Sequence, residues 1–392
     1  MSSRTLTFVT ASLSLCSALA LGWSMCGGET IWSEMPSHRR ARASVDQIVF
    51  VGGRAIVRNE LSELYVSDDD GRQWRVLPET PESLRVANGK ELWGAHGWPG
   101  HHEGPSARLW RSLDLGETWS HVDLELPGDR RELHARLPAG FINEPGDEPL
   151  LVMSDFQLVR PDLVTNSSAW RRVGRRISGL EPSTGTINST ATGRKHGRSI
   201  YVASAGEIFL SNDEGMTWAQ TSLDLLWRPD IRCVESTCYV LSNNADRQWD
   251  GFLTTEAGTN EWRHIGFDPT AMVRALTADR RHRAPNTFVA VAFVPTNTGI
   301  YVSGVVDAGH QPWAAVLRVD RAGEITSVGH GIPVGLGVPT DVWVPTDFWV
   351  LEQAPDGTLW AGGQGAYRLH EGEWVKVWPA QGRQPQASDT PR

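Results

Sequence analysis

Three eight-residue segments of the chain share the pattern Ser-x-Asp-x-Gly-x-x-Trp. The residues that carry it are Ser67, Asp69, Gly71 and Trp74; Ser112, Asp114, Gly116 and Trp119; and Ser211, Asp213, Gly215 and Trp218. Such a segment predicts a strand that leads into a tight turn, where the aspartate accepts backbone N–H groups and the glycine takes a conformation closed to other residues. The tryptophan then begins the returning strand and buries its ring against the neighbouring sheet. A recurring hairpin of this kind predicts a repeat architecture.

Weaker copies of the same hairpin extend the repeat along the chain. Trp170, Trp262 and Trp374 each precede a short strand-like run, and Ile325 takes the place of the ring in a further copy, so that the period is about 45 to 60 residues. The high count of 18 tryptophans fits one buried ring in most copies, and the 39 glycines and 23 prolines indicate many turns and no long helices.

Short apolar runs are expected to form the strand that precedes each hairpin. They are Ile48–Val51, Leu92–Ala95, Leu150–Met153, Ile200–Ala203, Cys238–Leu241, Ile300–Ser303 and Leu359–Gly362. Four antiparallel strands per repeat, arranged radially, would bury both faces of every sheet. The sequence therefore predicts an all-β, seven-bladed β-propeller, with blades at residues 38–80, 84–125, 137–175, 184–225, 229–267, 286–330 and 345–379. Six blades is the alternative, with one blade plus insertions between Trp262 and Trp374.

The three full copies resemble the Asp-box, or BNR-type, repeat of sialidases, sortilin-type receptors and photosystem assembly factors. The resemblance implies the propeller fold and stops short of the sialidase active site. The Arg-Ile-Pro motif of those enzymes is absent, and Arg54-Ala55-Ile56 does not replace it. The five tyrosines fall in predicted strands, which favours core packing: Tyr201, Tyr239 and Tyr301 in second strands, and Tyr65 and Tyr367 in third strands.

The N-terminal residues have the pattern of a targeting segment, so that residues 1–30 are expected to be a signal and short linker, residues 38–379 the propeller, and residues 380–392 a disordered tail. Arg4 precedes the apolar stretch from Leu6 to Trp23. Two processing sites remain open: signal-peptidase cleavage after Ala18-Leu19-Ala20, or lipidation at Cys26, and an uncleaved anchor is a third alternative. All three place the body outside the cytoplasm, in the periplasm, the cell envelope or the extracellular space.

Two cysteines lie in the body of the chain. Cys233 and Cys238 are separated by four residues, and paired positions across a hairpin would bring them within disulfide range. An oxidising compartment favours that bond over two reduced thiols. The body of the chain holds no second pair of cysteines that could complete a zinc site.

Binding residues are expected on the face opposite the Ser-x-Asp-x-Gly-x-x-Trp turns, because loops on a rigid scaffold are where such residues accumulate. One candidate loop carries His96, Trp98, His101, His102 and Glu103. These side chains could ligate a transition metal only with help from elsewhere, and a solvated loop is the simpler interpretation. The preferred contact region comprises Asn243, Asp246, Arg247, Trp249, His310 and Trp313, although Trp249 and Trp313 would pack inward if they simply start strands.

These patterns favour a non-catalytic exported propeller that binds a protein, peptide or glycan as a monomer. The net charge of −9 argues against nucleic acid, and membrane attachment is expected only through the N-terminal anchor or lipid. No nucleophile elbow, HExxH, phosphate loop or dinucleotide motif is present, and no cofactor or metal is predicted. A glycoside hydrolase is the alternative, since 46 acidic residues leave many carboxylate pairs and spacing selects none of them.

Overall fold

The structure is a computed structural model. It describes residues 44–59, 61–78, 81, 83–87, 90–96, 108–123, 138–143, 150–153, 158–161, 170–175, 177, 192–196, 198–204, 207–222, 231–243, 249–277, 287–307, 313–329 and 350–378. Within these residues, no helix combines the length and the apolar character that crossing a membrane requires.

The described residues form 28 strands and one helix, grouped along the chain in sets of four strands. Blade 1 holds β1 (Val45–Val51), β2 (Arg54–Asn59), β3 (Leu64–Ser67) and β4 (Arg75–Val76); blade 2 holds β5 (Ser83–Ala87), β6 (Glu91–His96), β7 (Arg108–Ser112) and β8 (Ser120–Asp123); blade 3 holds β9 (Pro138–Asn143), β10 (Leu150–Met153), β11 (Leu158–Pro161) and β12 (Trp170–Val173); blade 4 holds β13 (Thr192–His196), β14 (Ser199–Ser204), β15 (Glu207–Ser211) and β16 (Ala219–Ser222). Blade 5 holds β17 (Ile231–Val234), β18 (Thr237–Asn243), β19 (Trp249–Glu256) and β20 (Arg263–Gly266); helix α1 (Pro269–Thr277) follows; blade 6 holds β21 (Thr287–Thr296), β22 (Gly299–Asp307), β23 (Trp313–Val319) and β24 (Ile325–Ser327); and blade 7 holds β25 (Val350–Gln353), β26 (Leu359–Gly363), β27 (Gly365–His370) and β28 (Glu373–Trp378).

The sheets confirm the predicted all-β propeller. Within each blade every strand pairs antiparallel with the next one along the chain. Blades 3 and 4 are joined into one eight-stranded sheet, because their inner strands β9 and β13 pair in parallel at Gly193 and Arg194. Counted by continuous hydrogen bonding, the fold has six sheets, which is the number that the six-blade alternative expects. Counted by strand order along the chain, it has seven four-stranded units. These units match the seven expected ranges, except that β5 begins one residue early, at Ser83.

One of the apolar runs has a different place from the other six. Ile48–Val51 belongs to β1, the inner strand of blade 1, whereas the other runs lie in second strands. The second strand of blade 1 is β2, in which Arg54 and Arg58 flank the apolar core residues. These two charged residues interrupt the apolar pattern and hide the strand in the sequence. In the fold, Arg54 pairs with Asp68 and Arg58 pairs with Asp46.

Among the described residues, apolar layers join blades 7, 1 and 2 in one series and blades 3 to 7 in another. Contacts between inner strands run from β25 through β1 to β5, and from β9 through β13, β17 and β21 back to β25. The layer between blades 7 and 1 contains Val45, Tyr65, Trp360 and Trp378, all buried. Each terminal blade is built from one continuous stretch of chain, so side chains rather than an exchanged strand close the ring.

The first and second blades are also linked by a side chain at their inner edge. The amide of Gln47 on β1 donates to the carbonyl of Leu84 at 2.6 Å and accepts from its N–H at 2.9 Å. Because inner strands are sheet edges with unpaired backbone groups, this amide takes the place that a backbone partner would otherwise fill.

Helix α1 was not predicted from the sequence. Asp268 caps it by accepting from the N–H of Thr270 at 2.9 Å, and Ala275 and Leu276 bury their side chains in the layer between blades 5 and 6. The helix packs against β24, the outer strand of blade 6. At nine residues it agrees with the expectation that long helices are absent from a chain so rich in glycine and proline.

The three segments at residues 67–74, 112–119 and 211–218, called the repeat turns below, share one hydrogen-bond pattern. In the first, the Ser67 hydroxyl accepts from the N–H of Gly71 at 2.8 Å and donates to Asp69 at 2.9 Å, and Asp69 accepts from the N–H of Gln73 at 2.8 Å. The other two turns repeat these bonds within 0.1 Å. The repeat glycines have φ angles between +85° and +93°. These bonds agree with the mechanism predicted for the turn.

The tryptophan that ends a repeat turn reaches the preceding blade. The indole N–H of Trp74 donates to the carbonyl of Val377 on blade 7 at 2.8 Å, and that of Trp218 donates to Arg175 beyond β12 on blade 3 at 3.2 Å. Trp374, in a weaker copy of the hairpin, donates to Val328 beyond β24 on blade 6 at 2.9 Å. The ring therefore closes at Trp74 with the same contact that joins internal blades.

The hydrogen bonds of the repeat turn change the pKa of Asp213, and this change can be measured. Hydrogen bonds from the hydroxyl and then the N–H of Thr217 lower the pKa of Asp213 from 3.8 to about 2. A carboxyl group whose pKa is lower in the folded state stabilises the fold at pH values above its pKa in the unfolded state. That contribution is lost as the pH falls through its pKa in the folded state. The relevant window is therefore from about pH 4 down to about pH 2.

Replacing Thr217 with valine should return the pKa of Asp213 toward 3.8, because the hydroxyl is the largest cause of the shift. Carbon-13 NMR titration of the aspartate carboxyl groups measures this value. Thr326→Val on β24 is the matched control and should leave the pKa of Asp213 at its original value. An unchanged pKa in Thr217→Val would contradict the geometry of the turn.

Cys233 and Cys238 form a disulfide across β17 and β18. The two residues are direct partners in the hairpin, and the Val234–Thr237 pair closes it with a two-residue turn. Both side chains are buried in the layer between blades 4 and 5.

Reduction of this disulfide should lower the free energy of unfolding by about 2 kcal/mol, because the bond closes only a short loop. Denaturant titration with and without a dithiol reductant, with thiol counting to confirm reduction, measures the effect. A Cys233→Ala, Cys238→Ala double variant is the control and should not respond to the reductant. Identical unfolding curves for the oxidised and fully reduced chain would refute the prediction.

Candidate binding face

Strand direction divides the ring into two faces. The turns between first and second strands and the repeat turns lie on one face, called here the repeat-turn face. The loops between second and third strands and the connections between blades lie on the other, called the loop-rich face. The inner strands β1, β5, β9, β13, β17, β21 and β25 surround the axis of the ring, and the space between them is called the central channel below.

The first predicted binding loop is represented by its starting residue only. His96 ends β6 on the loop-rich face. Trp98, His101, His102 and Glu103 lie outside the described residues. Among the residues that are described, no group of three or more His, Cys, Asp or Glu side chains could hold a metal ion.

The preferred contact region is placed at the expected end of its blades, but one of its aromatic rings is not available. Asn243 ends β18 and Trp313 begins β23, while Asp246, Arg247 and His310 lie outside the described residues. Trp249 begins β19 and is only 4 % exposed.

Trp249 is a core residue in the structure. Its ring packs against Phe252, Phe267 and Phe288, and its indole N–H donates to the carbonyl of Gly251 at 2.7 Å. A ring that is 4 % exposed and whose indole N–H is already donated leaves almost no surface on which a ligand could stack. The expectation that Trp249 contacts a ligand is corrected to the inward-packing alternative.

A polar pair beside Trp249 does reach the surface. His264 on β20 lies 3.4 Å from Asp250 on β19, and both side chains are partly exposed. An imidazole and a carboxylate so placed offer a donor and an acceptor to a polar ligand. Asp250 lies at the end of the predicted loop, whereas His264 was not singled out, because only its position after Trp262 in a weak repeat copy marks it.

The first blade shows the best-described loop of this face. The buried side chain of Asn59 accepts from the N–H groups of Leu61 and Glu63 at 3.1 and 2.8 Å, and its own amide donates to the Glu63 carboxylate. The Tyr65 hydroxyl also donates to Glu63, at 2.9 Å. This network fixes the loop and leaves the side chain of Leu61 43 % exposed at its tip.

A charged pair spans part of the central channel. Arg232 on β17 of blade 5 donates to Glu352 on β25 of blade 7 at 2.8 Å and to the carbonyl of Leu351 at 3.3 Å. Its guanidinium group lies over the ring of Phe293 on β21, the inner strand of the intervening blade, at 5.9 Å. Asp46 on β1 and Glu352 on β25 are the only acidic residues within the seven inner strands.

Both of these inner-strand carboxylates are ion-paired with arginines. Asp46 accepts from Arg58 at 2.9 and 2.5 Å, and Glu352 accepts from Arg232 at 2.8 Å. Each of these carboxylates is already engaged in a hydrogen-bonded ion pair within the fold. These groups therefore have the environment of structural ion pairs.

The tyrosines are also engaged in the fold. The Tyr201 hydroxyl accepts from the N–H of Gly258 at 2.7 Å, and burial raises its pKa, which disfavours a nucleophilic phenolate. Tyr65 is buried, with its ring 4.8 Å from that of Trp378. All five tyrosines lie in the strands predicted for them, namely β14, β18 and β22 for second strands and β3 and β27 for third strands.

The arrangement defines the class of the protein as a β-propeller, and comparison with solved structures agrees. A GH74 enzyme from Niastella koreensis superposes with a TM-score of 0.57 at 15% identity, over 86% of this chain and 53% of that one. The GH74 xyloglucanase from Xanthomonas campestris gives 0.53 at 16% identity, over 83% and 51%. YCF48 from Cyanidioschyzon merolae gives 0.55 at 12% identity, over 82% of this chain and 94% of that one.

These likenesses show the fold alone. The chain spans about half the length of the two GH74 enzymes. Comparison of the sequence with protein-family models gives no match, and neither does comparison with curated proteins.

Proposed function

We propose that this chain is an exported, monomeric and non-catalytic propeller that binds a protein, peptide or glycan through its loop-rich face. The observation that carries the proposal is the pairing of both inner-strand carboxylates with arginines, because a propeller hydrolase would need acid and base groups in this region. The shared bonds of the three repeat turns support their assignment as Asp-boxes. The apolar segment from Leu6 to Trp23 supports export.

Proteins with a similar fold include both a binding protein and enzymes. YCF48 has been solved bound to a D1 peptide, and one of the GH74 enzymes is a xyloglucanase. The alternative function is accordingly a glycoside hydrolase.

The two functions can be separated by one pair of measurements on the purified chain. A photo-crosslinking amino acid at Leu61, on the loop-rich face, should capture a specific ligand from envelope extract or a glycan library. The same group at Leu113, which is 65 % exposed on the repeat-turn face, is the matched control and should capture nothing. Capture from Leu113 alone would overturn the proposed face. Release of reducing ends from xyloglucan by the purified chain would overturn the non-catalytic assignment and establish the hydrolase.

A further inference from the structure

Blade 3 differs in charge from the other six blades. Its described residues, between Pro138 and Ile177, include four arginines and no aspartate or glutamate, whereas the described residues of every other blade include at least one carboxylate. The four are Arg160 on β11, Arg171 and Arg172 on β12, and Arg175 just after β12. In a chain of net charge −9, this blade is a local concentration of positive charge.

The arginine side chains of blade 3 lack the carboxylate partners that other strand arginines have. Arg58 and Arg232, for example, each donate to an aspartate or glutamate. Within the described part of the chain, the Nε atom of Arg160 is buried without an acceptor, and the exposed guanidinium groups of Arg172 and Arg175 form no ion pair. A buried donor without an acceptor costs free energy, so this blade is suited to acceptors that another molecule supplies.

The strand that carries two of these arginines, β12, is the outermost strand of its sheet. On one side it pairs with β11, where Arg172 lies opposite Val159 and Arg171 opposite Arg160. Among the strands that the structure describes, none pairs with its other side. Such an edge presents N–H and C=O groups to which a further strand can bond. Of the seven outer strands, only β12 has two consecutive arginines, so charge distinguishes this edge from the others.

The neighbouring blade holds the backbone that follows β12. The N–H of Arg175 donates to the carbonyl of Gly215 at 2.7 Å, and the carbonyl of Arg175 accepts from the indole of Trp218 at 3.2 Å. Backbone that is already held in place does not have to be ordered by a partner, which lowers the entropic cost of binding.

We propose that the outer edge of blade 3 binds an extended acidic segment of a partner polypeptide. The segment pairs with β12 as a further strand of the sheet, and its carboxylates accept from the arginines of this edge, since a guanidinium group offers a carboxylate two parallel donors. A polypeptide fits better than another polyanion, because the edge offers backbone hydrogen bonds as well as charge. This surface lies on the rim of the propeller, so it is a second binding site beside the loop-rich face.

The test measures, by fluorescence anisotropy, the affinity of the full chain for a labelled synthetic peptide that repeats the sequence Val-Glu-Glu-Thr. An Arg172→Gln, Arg175→Gln variant should bind this peptide on the order of a hundredfold more weakly, roughly tenfold for each lost charge-assisted bond. Arg263→Gln removes an exposed arginine from β20, another outer strand, and is the matched control that should bind with unchanged affinity. Methylation of the backbone nitrogens of the peptide should abolish binding, because it removes the donors that pair with the edge of β12.

Three results would overturn the proposal: a peptide that does not bind, equal affinities for the double variant and the original chain, or equal affinities for the methylated and unmethylated peptides. The last result would mean that the arginines attract polyanions in general, anionic glycans among them. None of the three bears on ligand capture from Leu61, which lies on the loop-rich face. Failure of this proposal and failure of the proposed function are therefore separate outcomes.

Discussion

Replacing Trp360 with alanine is expected to lower the free energy of unfolding by about 3–5 kcal/mol, the range for removing a large buried ring. The indole is 2 % exposed, and its ring lies 5.5 Å from Phe50 and 6.4 Å from Trp74. It belongs to blade 7, and both of those partners belong to blade 1. Because no exchanged strand closes the ring, the cavity would form at the junction on which closure depends.

Denaturant titration monitored by circular dichroism measures this loss. Val375→Ala on β28 of the same blade is the matched control and should change stability by no more than about 0.5 kcal/mol, because its side chain is exposed. A loss in Trp360→Ala no larger than that of the control would mean that the first and last blades do not pack together.

Replacing Gly174 with alanine is expected to cost about 2–5 kcal/mol, for two reasons that add. Gly174 has a φ of +65°, which an alanine adopts at a cost, and an added Cβ would lie 2.2 Å from the carbonyl oxygen of Gly215 on the next blade. That carbonyl also accepts from the N–H of Arg175 at 2.7 Å. Neither backbone can move away without breaking the contact between blades 3 and 4.

A Gly53→Ala variant separates the conformational cost of a positive φ from the steric clash of the added Cβ. Gly53 has a φ of +81°, but an added Cβ would meet no atom within 4 Å, so this variant should lose only about 1 kcal/mol. Thermal unfolding of both variants measures the difference between them. Equal losses would show that the close approach of the two blades does not exist and that the conformational cost alone is at work.

The fold was accessible from the sequence because each blade repeats one local rule. The serine, aspartate and glycine of a repeat turn bond to each other within eight residues, so their spacing is enough to predict the hairpin. The ring of Trp374 reaches the same contact through a different turn, and this explains why tryptophan positions located blades where the full pattern is absent. Local chemistry therefore predicts the limits of the four-stranded units, whereas the sequence left the choice between six and seven blades open.

Features that depend on contacts between distant residues were not accessible. Arg232 and Glu352 are 120 residues apart and meet only because the ring brings β17 and β25 to the same channel. The parallel pairing of β9 with β13 is a similar case, since it depends on how closely two blades approach. Helix α1 has a readable cap at Asp268, but its nine residues lie in a connection where the repeat gives no guide.

The candidate binding region shows why surface residues are harder to predict than core residues. An aromatic ring beside charged and amide residues suggested a ligand surface at Trp249, yet the same ring fills the layer between blades 5 and 6. Composition does not reveal which way a side chain at the start of a strand is directed. Asp250 and His264 come together because β19 pairs with β20. Their positions in the sequence do not indicate that these two strands are neighbours.

The central claim is that seven four-stranded units close into a ring with blade 7 against blade 1, and a distance measurement tests it most directly. Spin labels would replace the exposed residues Val76 on β4 and Val375 on β28, with a reference pair at Ile265 on β20 and Thr326 on β24. Double electron–electron resonance should give both pairs similar distances on the order of 20 Å, as expected for neighbouring packed sheets. A much longer distance for the first pair, on the order of 50 Å while the reference stays short, would show an open arc and contradict the ring.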